Sequence, residues 1–196
     1  MTRKLTLSAT LGVLLLAASC AEQPKADEAP APAADKAPAP EKVAGPYYEL
    51  TKDDVTSHAD WTSMNVMLKG VKIGDKGAII EKTLGTADKI DLVGTDHYRA
   101  VYGKSSFSIY TYKFTTELQK IEIFGRMADQ IADPKFKKLL TTHDLKYMRE
   151  AFGMEDEMKQ NLDTTANEWI YDAKGFRFAE YNLTGQKVYS IVFSKK

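Results

Sequence analysis

The chain repeats itself weakly at a spacing of 68 to 70 residues, and no other feature limits its possible folds so strongly. In the first copy, Asp75–Gly85 reads as a short helix ending in glycine; in the second, Thr141–Gly153 does the same. Ile79, Ile80 and Leu84 match Tyr147, Met148 and Phe152, an apolar edge of helical period in both copies. Gly85 and Gly153 suit the left-handed position that closes a helix. Asp75 and Thr141 are the candidate N-caps, and Thr141 with Asp144 approximates a capping box.

Strand-like runs follow each helix: Tyr98–Gly103, Phe107–Phe114 and Leu118–Phe124, then Trp169–Asp172, Phe176–Asn182 and Val188–Phe193. The offset is 68 at the helix glycines and 69 at Tyr102/Tyr171, Phe107/Phe176, Ile109/Phe178 and Tyr112/Tyr181. It becomes 70 at Ile121/Ile191 and Ile123/Phe193, so each slip falls in an expected loop, where insertions are tolerated. One unit of about 60 residues would bury only a marginal core. The expected fold is therefore α+β: two similar helix-plus-antiparallel-strand units forming one sheet of six or more strands, with helices on one face. The units are expected at 47–126 and 127–196.

With 43% hydrophobic and 28% charged residues, the 196-residue chain can bury a core, which excludes global disorder. Its 27 basic and 27 acidic side chains cancel, which argues against nucleic acid as a partner. A lone cysteine excludes internal disulfides and Cys-rich zinc modules.

That cysteine has a telling place. Met1-Thr2-Arg3-Lys4 is basic, Leu5–Ala18 is apolar, and Ser19-Cys20-Ala21 follows, the layout of a secretory signal over 1–19. The apolar run makes about 21 Å of helix, too short for a hydrocarbon core of about 30 Å. Ala17-Ala18-Ser19-Cys20 resembles the lipobox of bacterial lipoproteins, which implies lipidation of Cys20 and a membrane anchor. Ala21 after it resembles an outer-membrane sorting signal. Residues 20–46 hold six of the seven prolines and no aromatic residue, a solvated tether that could reach roughly 80 Å.

The folded part carries a second resemblance. Gly74-Asp75, a short helix ending Leu84-Gly85, and aromatic antiparallel strands look like the SmpA/OmlA fold of the barrel-assembly lipoprotein. The tandem form resembles the β-lactamase-inhibitor-protein fold, in which two units make one saddle-shaped sheet. The likeness spans roughly 71–196 and implies the fold more firmly than a function. That inhibitor family carries disulfides, which this chain cannot form.

No catalytic constellation is evident. His58, His97 and His143 have no ligand-spaced partners, and no metal, phosphate-loop or nucleophile-elbow motif occurs. Asp53-Asp54 and Glu155-Asp156-Glu157 read as solvated loops rather than cation sites. Neither an enzyme activity nor a cofactor is expected. The aromatic strands remain. Alternation puts Phe107, Ile109, Phe176 and Phe178 on one face and Tyr110, Tyr112, Arg177 and Tyr181 on the other, with Trp169 and Tyr171 as possible additions. Tyr and Arg favour protein interfaces, although a half-solvated sheet carries such residues without a partner. The reading is a lipid-anchored, non-enzymatic envelope module that binds a protein through this face. A carrier of a small apolar ligand between sheet and helices is the alternative.

Overall fold

The computed structural model describes residues 45–161, 166–183 and 185–195. The signal segment, Cys20 and nearly all of the tether lie outside the described residues. Three short strands come first: β1 (Tyr48–Glu49), β2 (Val66–Leu68) and β3 (Val71–Lys72), with β1 parallel and β3 antiparallel to β2. Helix α1 (Gly77–Leu84) leads into β4 (Lys89–Val93), β5 (His97–Tyr102), β6 (Phe107–Tyr112) and β7 (Leu118–Phe124). A 3-10 turn over Gly125–Gln130 then precedes α2 (Pro134–Thr142) and α3 (Leu145–Phe152). The chain continues through β8 (Glu157–Asn161), β9 (Ala166–Tyr171), β10 (Phe176–Leu183) and β11 (Gln186–Ser194). The large sheet is antiparallel and eight-stranded, in the order β4-β5-β6-β7-β11-β10-β9-β8. An α+β fold is what the sequence pattern predicts.

The six expected strand runs all form, and two more flank them. Strands β4 and β8 are the two edges of the sheet. The β4 run Lys89-Ile90-Asp91-Leu92-Val93 is largely exposed, and the β8 run starts inside the acidic segment taken for a loop. The second helix also differs from expectation. His143 adopts φ 53° and closes α2, while Asp144 caps α3 by accepting from the N–H groups of Lys146 and Tyr147. Thr141 therefore ends one helix instead of starting another. Helix α2 starts on Asp133, whose Oδ1 accepts from Phe136 N at 2.9 Å, with Pro134 in the first turn. Asp75 does not cap α1 either; Lys76 holds that position, and Asp75 instead accepts from the backbone N and the Nζ of Lys72. Gly85 and Gly153 do close α1 and α3, at φ 73° and 85°.

Phe107, Ile109, Ile121, Ile123, Ile191, Phe193, Phe178 and Phe176 share the buried side of the sheet. Phe136 fills the centre: its ring lies 5.2 Å from Phe152, 5.7 Å from Phe176 and 5.4 Å from Phe193. The segment before α1, read as part of a repeat unit, supplies a layer of its own through Leu50, Val55, Trp61, Val66, Leu68, Val71 and Ile73. Its Trp61 packs edge-on to Phe136 at 5.5 Å. Ser63 locks it to the later half, donating from N to the Lys174 carbonyl and from Oγ to the Ser194 carbonyl, both at 2.7 Å. The closeness explains Gly175: a Cβ there would stand 2.2 Å from Ser63 Oγ, and its φ is +68°. Among the described residues no helix is long and apolar enough to cross a membrane.

Phe136 is about 1% exposed, whereas Phe152, which the sequence places in the core, is only half-buried. Phe136→Ala should therefore cost ~3–5 kcal/mol in urea unfolding, and Phe152→Ala clearly less. Equal losses would contradict this account of the core.

Candidate functional site

On the opposite side of the sheet the alternation leaves polar and charged residues from strand after strand. Glu122 on β7 is the centre, only 2% exposed. Its Oε2 accepts from the Tyr110 hydroxyl of β6 at 2.6 Å. Its Oε1 accepts from the Tyr181 hydroxyl of β10 at 2.6 Å and from Ser190 Oγ of β11 at 2.8 Å. Three O–H donors on one carboxylate meet the requirement that a buried charge be hydrogen-bonded. Burial, followed by the charge of Glu122 and the bond to it, raises both tyrosines well above the ordinary phenol range.

Cations surround this centre. Lys120, on β7 two residues before Glu122, holds its ammonium 3.4 Å from the Tyr110 ring centroid, a cation–π contact. Burial depresses its pKa to about 8; Arg177 and Arg99 push the same way, against Glu122 and Glu168. Arg99 of β5 faces Tyr110 across the ladder and donates from Nη2 to Asp91 Oδ2 of β4 at 2.7 Å. Arg177 of β10 sets its Nε 3.3 Å from Glu168 Oε1 of β9, close enough for an ion pair but outside hydrogen-bond geometry.

The residues expected on an open binding face divide. Tyr110, Tyr112, Arg177 and Tyr181 lie opposite the aromatic core as alternation requires, but Tyr110 is buried, its hydroxyl committed to Glu122. Tyr112 and Tyr181, matched by the repeat, differ in surroundings: Tyr112 meets the rings of His97 and Phe114, whereas Tyr181 bonds Glu122. Trp169 and Tyr171 are on the core side. Register sets Trp169 beside Phe178 and Tyr171 beside Phe176, so both are buried and neither belongs to this face. Tyr171 gives its hydroxyl to the Gly153 carbonyl at the end of α3, and burial lifts its pKa to about 12. Glu122, Lys120 and Arg99 join this face beyond the residues expected there. Their alternation with Ile121, Ile123 and Ala100 placed them opposite the core, but nothing in a single strand signals that their heads converge.

The histidines serve as packing and turn residues: His58 stacks on Tyr48, His143 on Tyr189, and His97 Nδ1 meets Asp96 Oδ1 at 2.7 Å. Among the described residues no group of three or more His, Cys, Asp or Glu side chains could hold a metal ion. An open groove of about 480 Å³ lined by Phe124, Arg126, His143, Lys187 and Tyr189 lies outside the aromatic core. No protein-family model and no curated protein matches the chain. Among solved structures, a DUF4309 family protein (YjgB) from Bacillus subtilis is similar at 14% identity, over 65% of this chain and 84% of that chain, with a TM-score of 0.44.

The shifted groups imply a pH profile. Lys120 binds its proton less tightly folded (about 8) than unfolded (10.5), so it adds stability as pH rises across that interval. Tyr110 and Tyr181, raised above 10.0, give their contribution in full below that pH and lose it above. Removing the partly buried ammonium in Lys120→Met should therefore gain roughly 1–3 kcal/mol at pH 7, an advantage that fades between pH 8 and 10. A pH-independent difference between variant and parent in chemical denaturation would contradict the burial of this charge.

Proposed function

We propose that this chain is a non-enzymatic lipoprotein of the bacterial outer membrane, anchored through Cys20, that docks an envelope protein on the polar face of its eight-stranded sheet. The observation that carries the reading is the row of Arg99, Tyr112, Lys120, Arg177 and Tyr181. These are half-buried charged and aromatic side chains spread over β5, β6, β7 and β10, opposite the aromatic core. Such groups bury area on association while keeping a polar handle.

The finer architecture belongs to the same proposal: two tandem SmpA/OmlA-like units, joined at β7 and β11 with helices on one face, as in the β-lactamase-inhibitor-protein fold. Element boundaries support a duplication. Helix α1 and strand β4 match α3 and β8 at an offset of 68, and β5 matches β9 at 69. The carrier alternative needs open space under the sheet where Phe136, Phe176 and Phe193 interlock.

Two outcomes are expected. Cys20→Ser should move the protein from the membrane fraction to the soluble fraction; a wild-type mature chain without lipid, starting at a residue other than Cys20, would refute the anchor. A photo-crosslinker at Tyr112 should form a discrete protein adduct in intact envelopes, and one at exposed Lys137 of α2 should not. Adducts of equal yield at both positions would remove the polar face from consideration.

A further inference from the structure

The polar face carries more donors than acceptors. Arg99 Nε and Arg177 Nε are buried without a hydrogen-bond partner. Between them sits Lys120, whose ammonium rests on the Tyr110 ring and has no ion pair or hydrogen bond to another side chain among the described residues. Buried polar groups in native proteins are nearly always satisfied, and those that are not ask for a reason. Here two of them belong to arginines on one face of one sheet, with the unpaired Lys120 ammonium between them.

The nearby carboxylates are already engaged. Asp91 takes Arg99 and Lys89, at 2.7 and 2.8 Å. Glu168 takes Arg177, and Glu122 takes three hydroxyls. The groups acting on Lys120 are Glu122 on its own strand, Tyr110 of β6, Arg99 of β5, Arg177 of β10 and Glu168 of β9. With Lys89 counted, four cations thus stand against three carboxylates, and the Lys120 ammonium is the one without a carboxylate of its own. One added negative charge would complete the cluster. A phosphate dianion would place two beside Asp91, Glu122 and Glu168, where like charges repel.

We infer that the cluster holds one carboxylate of an acidic segment of the docked protein, seated over Lys120 between Arg99 and Arg177. The inference rests on the reading of this face as a docking surface and adds the chemistry of what docks. Binding a carboxylate there restores the proton affinity of Lys120, so association near pH 8 takes up a proton.

The test uses the full chain, a capped tetraglutamate peptide as probe, and calorimetry at pH 8 in buffers of different ionisation enthalpy. Saturable binding with proton uptake is expected, together with about a tenfold or greater loss of affinity in Lys120→Met and in the Arg99→Gln, Arg177→Gln double variant. Folding of each variant is checked by its melting transition. Capped tetraglutamine should not bind, and inorganic phosphate should bind more weakly than the acidic peptide. Equal affinity in Lys120→Met, tighter binding of phosphate, or the absence of saturation would overturn the inference. The two readings fail separately. A Tyr112 adduct that still forms in Lys120→Met despite excess peptide leaves the docking face standing without this site. Lys120-dependent peptide binding with no Tyr112 adduct leaves the carboxylate site standing without protein docking.

Discussion

A buried carboxylate is the least forgiving group in this structure, and Glu122 shows why so much is arranged around it. Taking a carboxylate out of water costs several kcal/mol unless its lone pairs are filled. The donors that fill them come from three other strands: Tyr110 from β6, Tyr181 from β10 and Ser190 from β11. With Glu122 on β7, the four central strands of the sheet close on one side chain. The β7–β11 pairing is the seam between the two four-strand meanders, and it is stitched from both faces. On one face Ile121 pairs with Phe193 and Ile123 with Ile191; on the other the hydroxyl cage binds laterally. A slip of one residue would turn Glu122 into the aromatic core and Ile123 onto the polar side, so the charge also specifies register.

A second constraint works at right angles to the first. The β1–β3 layer is held by a few long-range contacts. Asp133, fully buried, caps α2 with one oxygen and accepts from Thr56 N with the other at 2.6 Å. Lys174 donates to the carbonyls of Ala59 and Trp61 and lies 5.0 Å from the Trp61 ring centroid. The early segment is thereby bound to residues that follow it by 77 to 115 positions. The described residues accordingly lie in one compact unit.

Much of this was legible because the strands alternate, apart from one register shift between β6 and β7. Phe107, Ile109, Phe176 and Phe178 are readable from the sequence as core, and Gly85 and Gly153 as the ends of α1 and α3. What stayed hidden depends on neighbours. Trp169 and Tyr171 lie in a run whose both faces carry apolar or aromatic residues, so only the register with β10 reveals which side they take. Asp133-Pro134 is a readable helix start, whereas Thr141, where the repeat places one, falls within α2. Edge strand β8 is polar and gives no strand signal, whereas edge strand β4 exposes Ile90, Leu92 and Val93. The site shows the same division: its tyrosines stand out by type, whereas Glu122 and Lys120 matter through distances no single strand encodes.

The order of strands along the chain differs from their order in space. Strand β11 is made last of the eight, yet it lies in the middle, between β7 and β10. Some 60 residues separate the end of β7 from the start of β11. Until β11 emerges, Ile121 and Ile123 border a bare ladder, and Glu122 lacks the two donors that β10 and β11 supply. The first meander cannot reach its final state early and wait. It must remain an open template that accepts the right late strand while refusing unrelated ones. Contacts this distant in sequence make assembly slow compared with helix formation.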